Sequence, residues 1–190
     1  NSPSVNKNIE QVELWITEEL AAGRISGPFD LEEVNAIARG PIYSSPLLVV
    51  VTESAPGVTK YRICQNFSKA NKKSGLPAIN AMTRKQDYPC QLDMAVRVAD
   101  WVTNTPEGTL ACSFDLASFH RTIPVHPDHK PYLVFQIDGR FYYPHTNSFG
   151  MMLASSHAGQ VGEPIRQHLE FEGLAPTQRY EDDLQASVTP

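Results

Sequence analysis

Apolar positions recur at helical spacing near the start of the chain. From Ile9, the residues Val12, Ile16 and Leu20 form one stripe, with Glu18 and Glu19 read onto the opposite face, so an amphipathic helix is predicted that stops near Gly23. Asp30 followed by Glu33 fits a capping box, the aspartate accepting a first-turn N–H while the glutamate reaches back. A second helix follows and ends at Gly40-Pro41. The period then shortens to two. Leu47 to Thr52 and Thr59 to Cys64 are β-branched or apolar runs around Ser54-Ala55-Pro56-Gly57, a hairpin with Lys60 and Arg62 on one face.

Lys69 to Pro89 is polar and rich in Asn, Lys and Pro, and reads as a loop. Leu92 to Val102 reads as a short helix with Asp93 and Arg97 spaced as an ion pair. A second β region follows. Thr109 to Phe114 and Thr122 to Val125 are strand-like and flank polar Asp115 to Arg121, and Tyr132 to Tyr143 predicts a hairpin turning at Asp138-Gly139. Ala154 to Phe171 is a helix that Pro164 is expected to kink or divide, and Arg179 to Val188 is a hairpin around Glu181-Asp182-Asp183. No internal repeat is visible.

A chain of 190 residues, 41% hydrophobic, suffices for one domain or two small lobes sharing a core. No apolar run approaches the length of about 18 residues that a membrane helix needs, so a soluble protein is expected. It opens on Asn1 with no signal-peptide pattern, as expected of a piece excised from a longer polypeptide. Cys64, Cys90 and Cys112 form no C-x-x-C pair, against a disulfide framework or thiolate zinc site, and favour a reducing, intracellular setting in cytoplasm or nucleus. The net charge of −5 counts against nonspecific nucleic-acid binding, so any such surface must be local. Lys69, Lys72, Lys73, Arg84 and Lys85 form one candidate, either approaching nucleic-acid phosphates or merely solvating a loop. His126-Pro127-Asp128-His129 reads as a turn rather than a zinc site. There is no glycine-rich phosphate loop, and Ser155-Ser156-His157 lacks the glycines of a nucleophile elbow, which disfavours kinases and hydrolases.

The informative chemistry is acidic. Asp115 ends an apolar strand in Phe114-Asp115-Leu116, and Tyr180-Glu181-Asp182-Asp183 forms an acidic tip between two short strands. Each alone is ordinary strand-end or turn chemistry. Together they are carboxylates of the kind that hold two divalent metals about 3.5–4 Å apart for phosphoryl transfer, and their hard oxygens suit Mg²⁺.

Their order and surroundings carry a family resemblance. Lys60-Tyr61-Arg62-Ile63-Cys64-Gln65-Asn66-Phe67-Ser68-Lys69-Ala70-Asn71 is similar to K-x-R-x-x-x-D-[FY]-R-x-L-N, and Tyr180-Glu181-Asp182-Asp183 fits Y-x-D-D. Asn147-Ser148-Phe149-Gly150-Met151 resembles L-P-F-G-L, with Ala154-Ser155 where Ala-Pro is common. Trp15, Glu19, Gly23 and Ile25 resemble the approach to the fingers, Ser44-Ser45-Pro46 the segment before its first strand, and Ile123-Pro124-Val125 the strand after the first catalytic aspartate. The chain thus resembles the reverse transcriptases of eukaryotic LTR and DIRS-like retroelements over most of its length.

That resemblance implies an α+β fold, with residues 1–88 fingers-like, carrying N-terminal helices and a β-hairpin. Residues 89–190 would form a partial palm whose antiparallel sheet packs on helices, and the two parts are free to interleave. It implies an RNA-directed DNA polymerase whose Asp115, Asp182 and Asp183 hold Mg²⁺ or Mn²⁺, with Asp182 the more direct ligand. Lys60 and Arg62 contact the triphosphate, Phe149 and Gly150 lie beside the nascent base pair, and Phe119 or His120 crowds the ribose 2′-hydroxyl. The implied partners are an RNA or DNA template with primer and deoxynucleoside triphosphates, with no membrane, while thumb and RNase H belong to the rest of a polyprotein. Two departures stand out: both prolines around Phe149 are lost, and Glu181 puts a negative charge where an apolar residue is common. Tyr88, Phe119, Phe149 and Tyr180 offer either stacking faces or core. The alternatives are a non-catalytic polymerase-derived binding module and an RNA-templated RNA polymerase relative.

Overall fold

In the computed structural model, which describes residues 1–72, 74–89 and 92–190, Lys85 by its backbone alone, the chain is α+β and its named strands all pair antiparallel. Lys73 and Cys90 lie outside the described residues, as does the side chain of Lys85. Among the described residues no helix is long and apolar enough to cross a membrane.

Helix α1 (Pro3–Lys7), capped by Ser2, precedes α2 (Ile9–Ala21), which buries Val12 and Ile16 as their spacing predicts. Strand β1 (Ile25–Phe29), unforeseen in the sequence, leads to α3 (Leu31–Ala38). The capping box of α3 forms: Asp30 accepts the Glu33 N–H at 2.8 Å and Glu33 accepts the Asp30 N–H at 2.7 Å. Strands β2 (Leu47–Ala55) and β3 (Val58–Gln65) make the expected hairpin. Two 3₁₀ turns follow, then α4 (Ala95–Asn104), β4 (Leu110–Asp115), two further 3₁₀ turns, and the hairpin of β5 (Phe135–Ile137) and β6 (Arg140–Pro144). Helix α5 (Ala154–Phe171) and the hairpin of β7 (Thr177–Tyr180) and β8 (Asp183–Val188) complete the chain.

These elements form two compact units, Asn1–Arg84 with Arg121–Met152, and Lys85–His120 with Leu153–Pro190. The units interleave along the chain, because β6 pairs with β1 and draws residues 121–152 into the first unit.

In the first unit, the three-stranded sheet has the order β1-β6-β5, and Val12, Ile16, Leu47, Val49, Ile63 and Phe135 share one core. Phe135 stacks on Tyr142 at 5.1 Å and meets Trp15 at 5.6 Å. Full burial of such a side chain contributes about 1.5–3 kcal/mol, so the α2 stripe anchors this unit. Glu19 corrects the sequence reading: it is buried, not on the outer face. It follows Ile16 by three residues, which returns it to the inner stripe, where arginines neutralise it. Thr122 to Val125 is likewise not a strand. Residues 119–122 form a 3₁₀ turn and Pro124 makes only an isolated bridge to Thr146, because the neighbouring His145 N–H is taken by the Arg24 carbonyl.

The second unit holds a sheet of order β4-β8-β7 with α5 against β7. Helix α5 runs unbroken through Pro164. Gly162 makes the packing feasible, because a Cβ there would come within 2.9 Å of the Arg179 Cδ. Helix α4 starts at Ala95 with Met94 as its cap residue, so Asp93 lies ahead of the helix expected from Leu92.

Candidate active site

The acidic residues of the second unit are placed by strand register. β4 and β8 pair Ser113 with Gln185, Phe114 with Leu184 and Asp115 with Asp183, and β7 sets Tyr180 opposite Asp183. Residues directly opposite on antiparallel strands share a face with Cα atoms about 4.5–5.5 Å apart, so Asp115, Asp183 and Tyr180 are neighbours at one sheet end. Leu184 turns the other way and is 1% exposed. The core side of the sheet thereby leaves the carboxylates on the other side.

Glu181 and Asp182 form the two-residue turn, Glu181 in the left-handed region at φ 53°. The Asp182 carbonyl accepts the Leu116 N–H at 3.1 Å, tying the turn to the end of β4. From the helix side, the Ser155 hydroxyl donates to Glu181 Oε1 at 2.6 Å. Asp93 braces the hairpin one residue before Tyr180, accepting the Arg179 N–H at 3.0 Å and Arg97 Nη1 at 2.6 Å. Burial opposes ionisation of Asp93, but those two donors outweigh it and hold the carboxyl below the usual range. Phe119 and His120 sit in the 3₁₀ turn after β4, both buried, with rings 6.2 Å apart edge to face.

The remaining sequence candidates lie in the first unit. Lys60 and Arg62 alternate on one exposed face of β3, opposite Thr52 and Val50. Beyond the end of that strand, the Gln65 N–H donates to the Phe149 carbonyl at 2.9 Å. Gly150 has φ +106°, and a Cβ there would lie 2.1 Å from the Gln65 carbonyl oxygen, so glycine is obligatory. Phe149 is 39% exposed. Asn80 clamps the same loop, donating to the Gly150 carbonyl and accepting the Met152 N–H, each at 3.0 Å. Arg121 holds the start of the loop, donating to the Asn147 carbonyl and to Glu19.

Sequence reasoning missed Asn80, Gln65 and the Glu19–Arg121 pair. Asn80 was one asparagine in a polar loop, and 102 positions separate Glu19 from Arg121, so no local pattern reported either. His126 and His129 lie in an exposed turn where His126 Nδ1 accepts the Asp128 N–H at 3.3 Å, and Lys69, Lys72 and Arg84 are exposed.

Among the described residues, no three His, Cys, Asp or Glu side chains are gathered to hold a metal ion. The donor chemistry nevertheless fits Mg²⁺ or Mn²⁺, because such ions take one or two carboxylates and complete their shell with water and substrate phosphates. Asp115 and Asp183, opposed across one rung, supply that pair.

No protein-family model and no curated protein matches the chain. Solved structures do. A mutant of the prototype foamy virus protease–reverse transcriptase matches at a TM-score of 0.67 and 14% identity, covering 100% of this chain and 21% of that one. The native foamy virus protein matches at 0.61 and 15%, covering 100% and 20%, and its counterpart bound to double-stranded DNA at 0.61 and 14%, covering 100% and 27%. The chain has a retroviral reverse-transcriptase-like fold. It spans about a fifth of the length of the first two of these proteins. Within this reverse-transcriptase-like fold, Asp115, Asp182, Asp183, Phe119 and His120 belong to the second unit, and Lys60, Arg62, Phe149 and Gly150 to the first.

Proposed function

We propose that the chain is the fingers and partial palm of a reverse transcriptase from a retroelement, with the first unit fingers-like and the second the palm. It adds deoxynucleotides to a primer on an RNA or DNA template. The observation that carries this reading is the β4–β8 register, which opposes Asp115 and Asp183 at a sheet end in a fold shared with foamy virus reverse transcriptases.

Asp115, Asp182 and Asp183 are the catalytic carboxylates, with Mg²⁺ or Mn²⁺ as cofactor. Bound there, two such ions would activate the primer 3′-hydroxyl and neutralise the departing pyrophosphate. Like charges facing across a ladder destabilise it, so the opposed aspartates favour a cation between them. Lys60 and Arg62 bind the triphosphate, the planar guanidinium matching two phosphate oxygens at once. The Phe149–Gly150 backbone lies beside the new base pair, and Phe119 or His120 excludes a ribose 2′-hydroxyl. Thumb and RNase H regions of a longer polyprotein complete the enzyme, inside the cell in cytoplasm or nucleus.

The test is a Mn²⁺ titration of the chain with primer–template and the matching deoxynucleotide, alongside Asp115→Asn/Asp183→Asn. Metal binding lost in the double variant supports the reading. Primer–template binding indifferent to both metal and mutation would assign the chain to a non-catalytic polymerase-derived module, and a ribonucleotide requirement to an RNA-templated RNA polymerase relative.

A further inference from the structure

Glu181 is the acidic residue of the hairpin tip that the proposed mechanism leaves without a task. Its carboxylate has a specific partner: the 2.6 Å contact from Ser155 lies in the range of a hydroxyl donating to a carboxylate, about twice as strong as a neutral hydrogen bond. Ser155 stands in the first turn of α5, a helix of 18 residues whose cap position, Leu153, offers no side-chain hydrogen bond. The first N–H groups of such a helix carry partial positive charge, and a carboxylate placed there is favourable. Glu181 thus lies beside the first turn of α5, held there through the Ser155 side chain. Its backbone is held too, the carbonyl accepting Arg179 Nη1 at 3.4 Å. A non-glycine residue keeps a left-handed conformation only where its surroundings over-determine it, and these contacts do so at φ 53°.

Ser155 and Glu181 are also two of the positions that depart from the reverse-transcriptase pattern. Proline at 155 would have no hydroxyl to donate, and an apolar residue at 181 no oxygen to accept it. We propose that Glu181 is a positioning residue: its hydrogen bond from Ser155 fastens the hairpin tip to the first turn of α5, fixing Asp182 and Asp183 beside Asp115 and removing its own carboxylate from the metal-binding set. This rests on the proposed metal site for its consequence, though not for its geometry.

The experiment is Mn²⁺ binding to the 190-residue chain, followed by the electron paramagnetic resonance of free Mn²⁺, with amide exchange at Leu116 as a metal-free readout. The variants are Ser155→Ala, Ser155→Thr, Glu181→Met and Asp115→Asn. Ser155→Ala and Glu181→Met should each weaken Mn²⁺ binding about three- to tenfold and speed Leu116 exchange, and Ser155→Thr, which keeps the hydroxyl, should restore both. Wild-type affinity and exchange in Ser155→Ala, with binding lost in Asp115→Asn, would overturn the fastening while leaving the metal site intact. Glu181→Met as damaging as Asp115→Asn, with Ser155→Ala harmless, would overturn it by making Glu181 a ligand. Faster exchange in Ser155→Ala in a chain that binds no Mn²⁺ would uphold the fastening and refute the metal site.

Discussion

Neutralising Glu19 strikes the buried ion cluster of the first unit. Its Oε1 accepts Arg24 Nε at 3.0 Å and Nη2 at 2.8 Å, and its Oε2 accepts Arg121 Nε at 3.1 Å and also Arg121 Nη2. The Glu19 and Arg121 side chains are each 4% exposed, so Glu19→Gln leaves a guanidinium without a counter-charge in surroundings nearly free of water. Removing one partner of such a buried pair costs about 3–5 kcal/mol, whereas Arg24→Ala, at a side chain 27% exposed, should cost about 1 kcal/mol. Urea unfolding followed by the fluorescence of Trp15, with Trp101→Phe to silence the second unit, reads the difference. At slopes of about 1–3 kcal/mol per M, the Glu19→Gln midpoint should fall by at least about 1 M. Acid supplies a second check. Burial opposes the Glu19 charge, but Arg24 and Arg121 outweigh it and hold the carboxyl below its ordinary 4.5. A depressed carboxylate contributes stability that is present above its unfolded value and lost as pH falls through the folded one. Wild type should therefore lose stability below about pH 4.5 more steeply than Glu19→Gln. A midpoint shift under about 0.3 M together with parallel pH profiles would refute the buried pair.

Gly150→Ala should destabilise the first unit by more than about 2 kcal/mol, since the new Cβ meets backbone rather than a movable side chain; an unchanged Trp15 urea midpoint would contradict that. Asp93→Ala frees the Arg179 N–H and should cost about 1–3 kcal/mol, while Arg97→Ala, at a side chain 72% exposed, should cost under about 0.5 kcal/mol. Trp101, which lines the same cleft, reports both, and equal losses would show that the backbone contact is unimportant. Lys130 Nζ donates to His145 Nδ1 at 3.1 Å, so Nε2 keeps its proton and donates to Ser26 Oγ at 2.5 Å. Burial, then Lys130, holds the His145 pKa below 6.5, so this neutral pairing is lost as pH falls from 6.5 toward the folded value. His145→Gln should flatten the stability profile in that window, and an unaltered profile would remove His145 from it.

Elements with strong local signals were legible. The α2 stripe, the Asp30–Glu33 capping box, the Pro56-Gly57 and Asp138-Gly139 hairpins and the ends of α5 all follow from spacing and turn chemistry within a few residues. What failed was non-local. β1 is five residues interrupted by Gly27-Pro28 and exists because β6 pairs with it, more than a hundred positions away. Spacing from Ile16 puts Glu19 on the inner stripe, but the buried Arg121 that neutralises it there lies 102 positions away. Thr122 to Val125 is rich in β-branched residues, yet it stops at a single bridge because the His145 N–H opposite it is claimed by Arg24, about a hundred positions earlier in the chain.

Of the candidate site, the sequence names the acidic residues but not their facing. Side chains on a strand alternate, so slipping β8 by one residue against β4 would send Asp183 to the opposite face and bring Leu184 out beside Asp115. The aspartates do not set this choice, because their mutual repulsion disfavours it. Leu184 and Ala186 do: at 1% and 0% exposure they must face inward, and their positions leave Asp183 across from Asp115. Burying those two side chains is worth a few kcal/mol, more than the roughly 1 kcal/mol that facing like charges cost on a solvated ladder. The polar end of this sheet is thus held in an unfavourable arrangement by the apolar residues next to it, which is the condition under which a divalent cation gains most by binding.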